Sequence, residues 1–250
     1  MDIKTGLHPY TRLGSMEALE GAKILEKKLE VTSNNLANVD TVAFKALHTT
    51  FHEYLLSLQD GNKRAAKGEQ GWADFSQGSL KRTDNPYDVA IDGPGFFVVE
   101  GPNGPLYTRA GNFTLNDKYE LVTKEGYRVL GDGAPITLED TTGKGIWLSE
   151  DGHFFVDETI SSKIDVVTFD NPEGLKRVGS NYFQATNKAG QPTPTEPVVK
   201  QGYIETSNVN ALEEMVNLID LHRGFEMQQK SLQSIDQLNE KATNNLGRVG

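Results

Sequence analysis

The last part of the chain carries an apolar pattern that only a long helix can bring onto one side. Between residues 210 and 246, the intervals in this pattern alternate between three and four, the heptad spacing of a helix that packs against another helix. The stripe consists of Leu218, Leu221, Phe225, Gln228, Leu232, Ile235, Asn239, Ala242 and Leu246, of which only Gln228 and Asn239 are polar. Because so narrow an apolar stripe is not satisfied in water, the pattern predicts a partner for this helix.

A second helix is predicted near the start of the chain, over residues 15–38. Small or apolar residues recur there at helical spacing, and Ser15 suits the N-cap position. They are Ala18, Ala22, Leu25, Leu29 and Leu36. The two helices can pair with each other, with other subunits, or both. We expect other subunits to cover most of both stripes, because a bundle of only two helices buries little surface.

The middle of the chain has the signature of an antiparallel β domain. Short apolar or alternating runs at 88–91, 96–99, 119–122, 127–130, 154–156 and 164–169 are separated by frequent turn pairs such as Asn103-Gly104 and Asp132-Gly133. No helix of about ten residues is predicted between Pro86 and Pro197. The fold class is therefore α+β, with long terminal helices in a coiled-coil-like domain and a central antiparallel β domain. We expect an N-terminal helix region at 1–45, an extended arm or hairpin at 46–84, the β domain at 85–200 and the C-terminal helix at 201–250.

Composition excludes several functions. The net charge of −10 disfavours binding to nucleic acids and to anionic membranes. The absence of cysteine excludes disulfides, thiolate metal sites and cysteine nucleophiles. His48 and His52 lack the acidic residue of a zinc-protease motif, and no catalytic, cofactor or metal site is predicted. We expect neither a transmembrane segment nor a cleaved secretory signal. A carbohydrate-acting enzyme or a surface β adhesin has a similar composition, but no sequence feature supports either.

Several segments resemble a known family in sequence and order. They are Ser33-Asn-Asn-Leu-Ala-Asn-Val-Asp-Thr-Val-Ala-Phe-Lys45, Asn85-Pro-Tyr-Asp-Val-Ala-Ile-Asp-Gly-Pro-Gly-Phe-Phe-Val-Val99, Tyr107-Thr-Arg-Ala-Gly-Asn-Phe-Thr-Leu115, Leu121-Val-Thr-Lys-Glu-Gly-Tyr-Arg-Val-Leu-Gly131, Gln201-Gly-Tyr-Ile-Glu-Thr-Ser-Asn-Val-Asn210 and Glu213-Glu-Met-Val-Asn217. Together they are similar to the bacterial flagellar rod and hook proteins. The segment Arg223-Gly-Phe-Glu-Met-Gln228 is closer to the proximal-rod members, with the distal-rod members as the alternative.

The resemblance implies a structural subunit rather than an enzyme. Such proteins leave the cell through the flagellar type III export apparatus without a cleaved signal, and they polymerise with copies of themselves and with other rod proteins into a periplasmic tube that transmits torque. No cofactor, nucleic acid or membrane insertion is implied. The candidate subunit-interface residues are Leu25, Leu29, Asn34, Asn35, Leu36, Asn38, Phe44, Leu218, Leu221, Phe225, Gln228, Leu232 and Ile235.

The expected role of three asparagines has an alternative, and one residue differs from the usual sequence of the family. Asn34, Asn35 and Asn38 either bind a neighbouring subunit or cap and turn the end of the first helix, and the two roles are compatible. Ala43 occupies a position where the family usually has glycine. If the backbone there has a positive φ, alanine carries a cost of order 1 kcal/mol or forces another turn.

Overall fold

The computed structural model describes residues 9–57, 63–138, 145–157 and 159–246, and contains two long helices. Helix α1 (Pro9–Ala37) is already helical at Pro9, the first residue that the structure describes, so the predicted start at Ser15 was too late. Helix α2 (Ala211–Leu246) begins directly after Asn210, in agreement with the predicted range. Within the described residues, neither helix has an apolar stretch suited to crossing a bilayer.

Between the helices the described chain is almost entirely strands and turns, with one short 3-10 helix at Pro172–Gly174. The strands are β1 (Leu47–Ser57), β2 (Lys63–Ala73), β3 (Leu80–Arg82), β4 (Val89–Ile91), β5 (Phe96–Gly101), β6 (Gly104–Thr108), β7 (Thr114–Leu115), β8 (Leu121–Val122), β9 (Arg128–Gly131), β10 (Ala134–Pro135), β11 (Ile146–Leu148), β12 (His153–Val156), β13 (Thr159–Lys163), β14 (Val166–Thr168), β15 (Lys176–Val178), β16 (Tyr182–Gln184), β17 (Thr193–Pro194), β18 (Val199–Gln201) and β19 (Tyr203–Glu205). The α+β class and the antiparallel β region are therefore confirmed.

The strands form one large sheet and several small ones. The large sheet has the order β15-β16-β6-β5-β9-β8-β7, with β10 paired to β9, and with β14 paired to both β5 and β17. The small sheets are β11-β12-β13, β18-β4, β19-β3 and β1-β2. Every strand pair whose register is described is antiparallel.

The chain divides into two compact units. The helical unit contains α1 as far as Leu36, the described part of residues 49–71, and α2. The β unit contains residues 37–48 and 72–210. The expected boundary at residue 200 falls inside β18, and the β unit continues to Asn210 because β18 pairs with β4 and β19 pairs with β3.

Two apolar clusters form the core of the β unit, one on each face of strand β5. Phe97 and Val99 belong to the larger cluster, whereas Phe96 and Val98 belong to the smaller one, as alternation along a strand requires. The smaller cluster is rich in aromatic rings. Phe96 makes edge-to-face contacts with Phe75, Phe169 and Phe183. These contacts fix the strands on which the site described below is built.

A buried tyrosine makes the stability of the β unit depend on pH in the alkaline range. Burial and the hydrogen bond from its hydroxyl to Glu125 raise the pKa of Tyr182 above its usual value. The folded protein therefore keeps this proton at pH values above about 10, where the unfolded chain releases it. Stability consequently falls as pH rises above about 10. In urea denaturation across this range, Tyr182→Phe should lose stability less steeply than the wild type. Equal slopes of stability against pH for Tyr182→Phe and the wild type would contradict the assignment of this effect to Tyr182. Tyr203→Phe serves as the control.

Candidate subunit interface

Helices α1 and α2 pack side by side in the helical unit and run in opposite directions. Three contacts set the register. Asn35 Nδ2 donates to Glu214 Oε1 at 2.9 Å, Leu25 lies against Gly224, and the Gln228 side chain lies against Gly21. Along α1 the contact residues are 35, 25 and 21, and their partners on α2 are 214, 224 and 228. The residue numbers therefore decrease on α1 by the same intervals by which they increase on α2. The pairing is therefore antiparallel and keeps a single register.

The predicted stripe of α2 lies on one face of the observed helix. Six of its members are partly buried, whereas most residues between them are exposed. They are Leu218, Leu221, Phe225, Gln228, Leu232 and Ile235. On α1, Leu25, Leu29 and Leu36 are partly buried as well. Gln228 and Leu25 contact the opposite helix directly, so part of the stripe is covered within the chain. Contact with other subunits stays a prediction for all of these residues.

The asparagines at the end of α1 differ in their surroundings. Asn35 is buried and bonded to Glu214 on α2. Asn34 is exposed. Asn38 lies in the turn after α1, where its backbone oxygen accepts from the Thr41 N–H at 3.1 Å and its side-chain oxygen accepts from the Thr41 hydroxyl at 3.2 Å. Asn35 and Asn38 thus have structural roles within the chain, which leave their predicted role towards neighbours untested.

Directly after this turn, residues 43–46 are held by the β unit through nearly every backbone polar group. The Ala43 N–H donates to the Glu205 backbone oxygen at 2.8 Å, and the Asn208 N–H donates to the Phe44 oxygen at 3.3 Å. The Ala46 N–H donates to the Asn208 side chain at 2.7 Å. We call residues 43–46 and the side chains that hold them the anchor. It joins the segment that follows α1 to the segment that precedes α2.

An ion network forms the centre of the anchor. Glu205 accepts from Lys45 Nζ at 2.7 Å and from Arg109 Nε at 2.9 Å, and the Gly78 N–H adds a third bond at 2.9 Å. The side chains of Lys45, Glu205 and Arg109 are only 1%, 1% and 4% exposed. Two cations thus share one carboxylate out of contact with water. Removing that carboxylate would leave both cations buried and unpaired.

Both cations also donate hydrogen bonds to backbone oxygens. Lys45 Nζ also donates to the Ser76 oxygen at 2.6 Å, and Arg109 donates to the Gly93 and Gly95 oxygens at 2.7 and 2.8 Å. Burial lowers the pKa of Lys45, while the neighbouring Glu205 opposes that shift. Because every charge is committed to a structural bond, the anchor holds chain segments together and offers no free acid or base.

Phe44, a predicted interface residue, is buried inside the anchor. Its ring lies beneath the Arg177 guanidinium, which is 4.2 Å from the ring centroid. Arg177 also donates to the Lys45 backbone oxygen at 3.3 Å. This burial places the Phe44 side chain in the interior of the β unit, where it stabilises the anchor.

The prediction from sequence did not single out Arg109, Glu205, Asn208 or Arg177. The first three lie within the segments that resemble the family, so the signal was present, but nothing in their spacing showed that they meet. Arg177 lies outside those segments. The structure also describes no cluster of three or more histidine or acidic residues that could hold a metal ion, in the part of the chain it covers.

Ala43 has a φ of 53°, so the condition under which alanine carries a cost at this position is met. Glycine would relieve a strain of roughly 1–2 kcal/mol. It would also lose about 0.4–1 kcal/mol through the greater entropy of the unfolded chain, and about 0.8 kcal/mol through the missing buried methyl group. We therefore expect Ala43→Gly to stay within about 1 kcal/mol of the wild type in urea denaturation. Ala43→Val should cost about 2 kcal/mol or more, because it overpacks a buried site and places a β-branched residue at positive φ. A neutral valine variant would contradict this account.

Comparisons with family models find matches in three parts of the chain, and all three models describe flagellar proteins. Three family models match: flagella basal body rod protein at residues 18–45, the flagellar hook protein FlgE/F/G D1 domain at 90–156, and the flagellar basal body rod FlgEFG protein C-terminal region at 200–246. These ranges contain the end of α1, the centre of the β unit and the α2 helix with the segment that precedes it. Lys45, Arg109 and Glu205 of the anchor fall one in each range.

Curated relatives extend the similarity over most of the chain. The flagellar basal-body rod protein FlgG of Buchnera aphidicola subsp. Schizaphis graminum is 34% identical, covering 85% of this chain and 92% of the relative. FlgF of Mesorhizobium japonicum is 31% identical, covering 92% and 96%, and FlgG of Bacillus subtilis is 30% identical, covering 90% and 96%. Relatives of both names thus match at similar identity. With an antiparallel helix pair, an antiparallel β region and these similarities, the chain belongs to the flagellar basal-body rod protein family.

Proposed function

We propose that this protein is a FlgF-like subunit of the proximal flagellar rod, which polymerises through its terminal helices into the periplasmic drive shaft. The observation that carries the proposal is the surface of α2. Its predicted stripe is partly buried, but large apolar side chains also emerge on the other side of the helix. These are Leu212, Met215, Val216, Ile219, Met227 and Leu238, all exposed among the described residues.

The two sets of apolar residues lie on opposite faces of α2. At about 100° per residue, the exposed set clusters around a direction roughly opposite to that of Leu218, Leu221 and Phe225. A helix with apolar residues on two faces is stable when it is packed between other helices. Helix α1 contacts one face, so the second face needs another molecule, which supports assembly with neighbouring subunits.

The anchor supports the mechanical part of the proposal. A drive shaft has to resist twisting, so the segments that lead to its assembly helices must be held rigidly. Lys45 and Glu205, one in each segment, are fixed by buried charge-assisted hydrogen bonds, which are stronger than neutral ones. We propose that the helical unit is the assembly domain of the rod subunit.

The assignment to the proximal rod rests on few residues. Phe225, in the segment Arg223-Gly-Phe-Glu-Met-Gln228, stands where distal-rod proteins more often have tyrosine. Relatives named FlgG match this chain as well as those named FlgF, so the distal-rod protein is the alternative. Both assignments imply export by the flagellar type III apparatus, assembly with other rod proteins and copies of itself, and no enzymatic activity.

The neighbours of the protein in the basal body test the proposal. A tagged copy replaces the native one, and basal bodies are isolated after chemical cross-linking. We expect the protein in the rod, cross-linked to subunits at its membrane-proximal end. Cross-links restricted to hook-proximal subunits would favour the distal-rod alternative, and absence from basal bodies of motile cells would overturn both.

A further inference from the structure

A row of apolar side chains crosses the small sheet β11-β12-β13 on its exposed face. Trp147 lies opposite Phe155 in the strand register, and Phe155 lies opposite Ile160. Directly opposed residues in antiparallel strands point to the same face, so the three side chains form one continuous row. We call it the aromatic row. The other face of the sheet carries Leu148 and Phe154, which belong to the core.

The aromatic row is ordered yet uncovered. The rings of Trp147 and Phe155 stack at 3.8 Å with an angle of 4° between their planes. The indole N–H of Trp147 donates to the Asp157 oxygen at 3.3 Å, so the polar group of the ring is already satisfied. Among the residues that the structure describes, Trp147 and Ile160 nevertheless remain 46% and 61% exposed. Exposed aromatic anchors of this kind are typical centres of protein interfaces.

A bulge in the sheet produces this arrangement. The register between β12 and β13 shifts between Phe154 and Phe155, which brings Ile160 rather than Ser161 opposite Phe155. With regular pairing, the hydroxyl of Ser161 would continue the row in place of the apolar side chain. Bulges are enriched where a side chain has to be redirected for a function.

The charges around the sheet indicate what kind of partner fits. Charged residues at its strand ends and in the adjoining turns are mostly acidic. Those that the structure describes are Asp132, Glu150, Asp151, Asp157, Lys163 and Asp165, and Lys200 lies near Glu150. Hydrogen bonds from Ser149 and His153 lower the pKa of Asp151, so this carboxylate is ionised at neutral pH. An apolar centre with an acidic rim is complementary to an apolar patch flanked by lysine or arginine.

We infer that the aromatic row is a docking surface for a different protein, whose contact patch is apolar with a basic rim. A second copy of this chain does not fit at this sheet, because pairing two such sheets would bring two acidic rims together. The site lies in the β unit and involves neither helix. It therefore adds a partner to those that the terminal helices engage.

Site-specific photocross-linking tests this surface in the full-length protein. Ile160 is replaced with p-benzoylphenylalanine in cells whose only copy is the variant, the cells are irradiated, and the linked peptides are identified by mass spectrometry. We expect a cross-link to another polypeptide, within a segment where apolar residues are flanked by lysine or arginine. A cross-link to a second copy, a linked segment without basic residues, or no cross-link would each overturn the inference.

Matched variants separate the surface from general stability. Added to the photocross-linking chain, Trp147→Ala should reduce the yield about tenfold, as expected for an interface anchor. Glu150→Lys should reduce it about threefold by reversing a rim charge. Val178→Ala and Asp117→Lys alter an exposed apolar residue and an exposed turn of the same unit, and should leave the yield unchanged. Equal losses in these controls would contradict the inference.

The amount of protein in isolated basal bodies is measured in parallel. If the protein is incorporated normally but gives no cross-link at position 160, the docking proposal fails and the rod assignment stands. A cross-link with the expected chemistry but no incorporation supports the docking surface and removes the rod assignment. The two proposals therefore fail separately.

Discussion

Replacing Glu205 with alanine is expected to destabilise the β unit by about 3–5 kcal/mol, because the change leaves two buried cations without their counter-ion. Lys45 and Arg109 lose their bonds of 2.7 and 2.9 Å to the carboxylate, and the Gly78 N–H loses its acceptor. The loss is measured by urea denaturation. Intrinsic fluorescence follows the β unit alone, since both tryptophans of the chain, Trp72 and Trp147, belong to it.

A second ion pair in the same unit is the matched control. Lys200 and Asp92 are 2.6 Å apart, but both side chains are almost half exposed. Lys200→Ala should therefore cost far less stability than Glu205→Ala, because exposed ion pairs are screened by water. A similar loss of stability in both variants would show that the buried network around Glu205 stabilises the protein no more than an exposed ion pair does.

Replacing all three charges in the network distinguishes electrostatics from packing. The combination of Lys45→Met, Arg109→Met and Glu205→Leu leaves no buried charge, so it should recover part of the stability that Glu205→Ala loses. Recovery should be incomplete, because the Gly93, Gly95 and Ser76 oxygens lose their donors. A triple variant less stable than Glu205→Ala would contradict this account.

Replacing Phe225 with aspartate is expected to abolish incorporation into the rod while leaving the β unit folded. The carboxylate would lie on the partly buried face of α2, next to Gly224 and the Leu25 side chain that contacts it. Burying an unpaired carboxylate costs several kcal/mol, which exceeds the roughly 1.5–3 kcal/mol that burial of a large apolar side chain contributes. Electron microscopy of basal bodies and a motility assay provide the measurement.

Ser231→Asp introduces the same charge at an exposed position, one to two turns further along α2 and between its two apolar faces. It should be incorporated normally. Unchanged urea denaturation of the β unit in both variants, followed by tryptophan fluorescence, would show that the defect lies in assembly. Motile cells with normal basal bodies that contain the Phe225→Asp protein would sink the assembly proposal.

The sequence by itself determined the two helices and the antiparallel character of the middle region. Their signals are local: the three-and-four spacing of α2 and the turn pairs of the β unit arise from residues close together in the chain, and local backbone geometry converts them directly into structure. The predicted start of α1 was too late because Ser15 is an adequate cap, although the described residues before it are helical as well.

Only the tertiary structure decided which residues form the anchor and the aromatic row. Lys45 and Glu205 are separated by 160 positions, and Arg109 and Glu205 by 96, so no periodicity links them. The N–H of Ala43, at its positive φ, likewise donates to the backbone oxygen of Glu205, which is distant in sequence. Trp147, Phe155 and Ile160 meet only through strand register and one bulge. Contacts between distant residues depend on how the chain packs and on strand register, and local sequence patterns do not predict either of them.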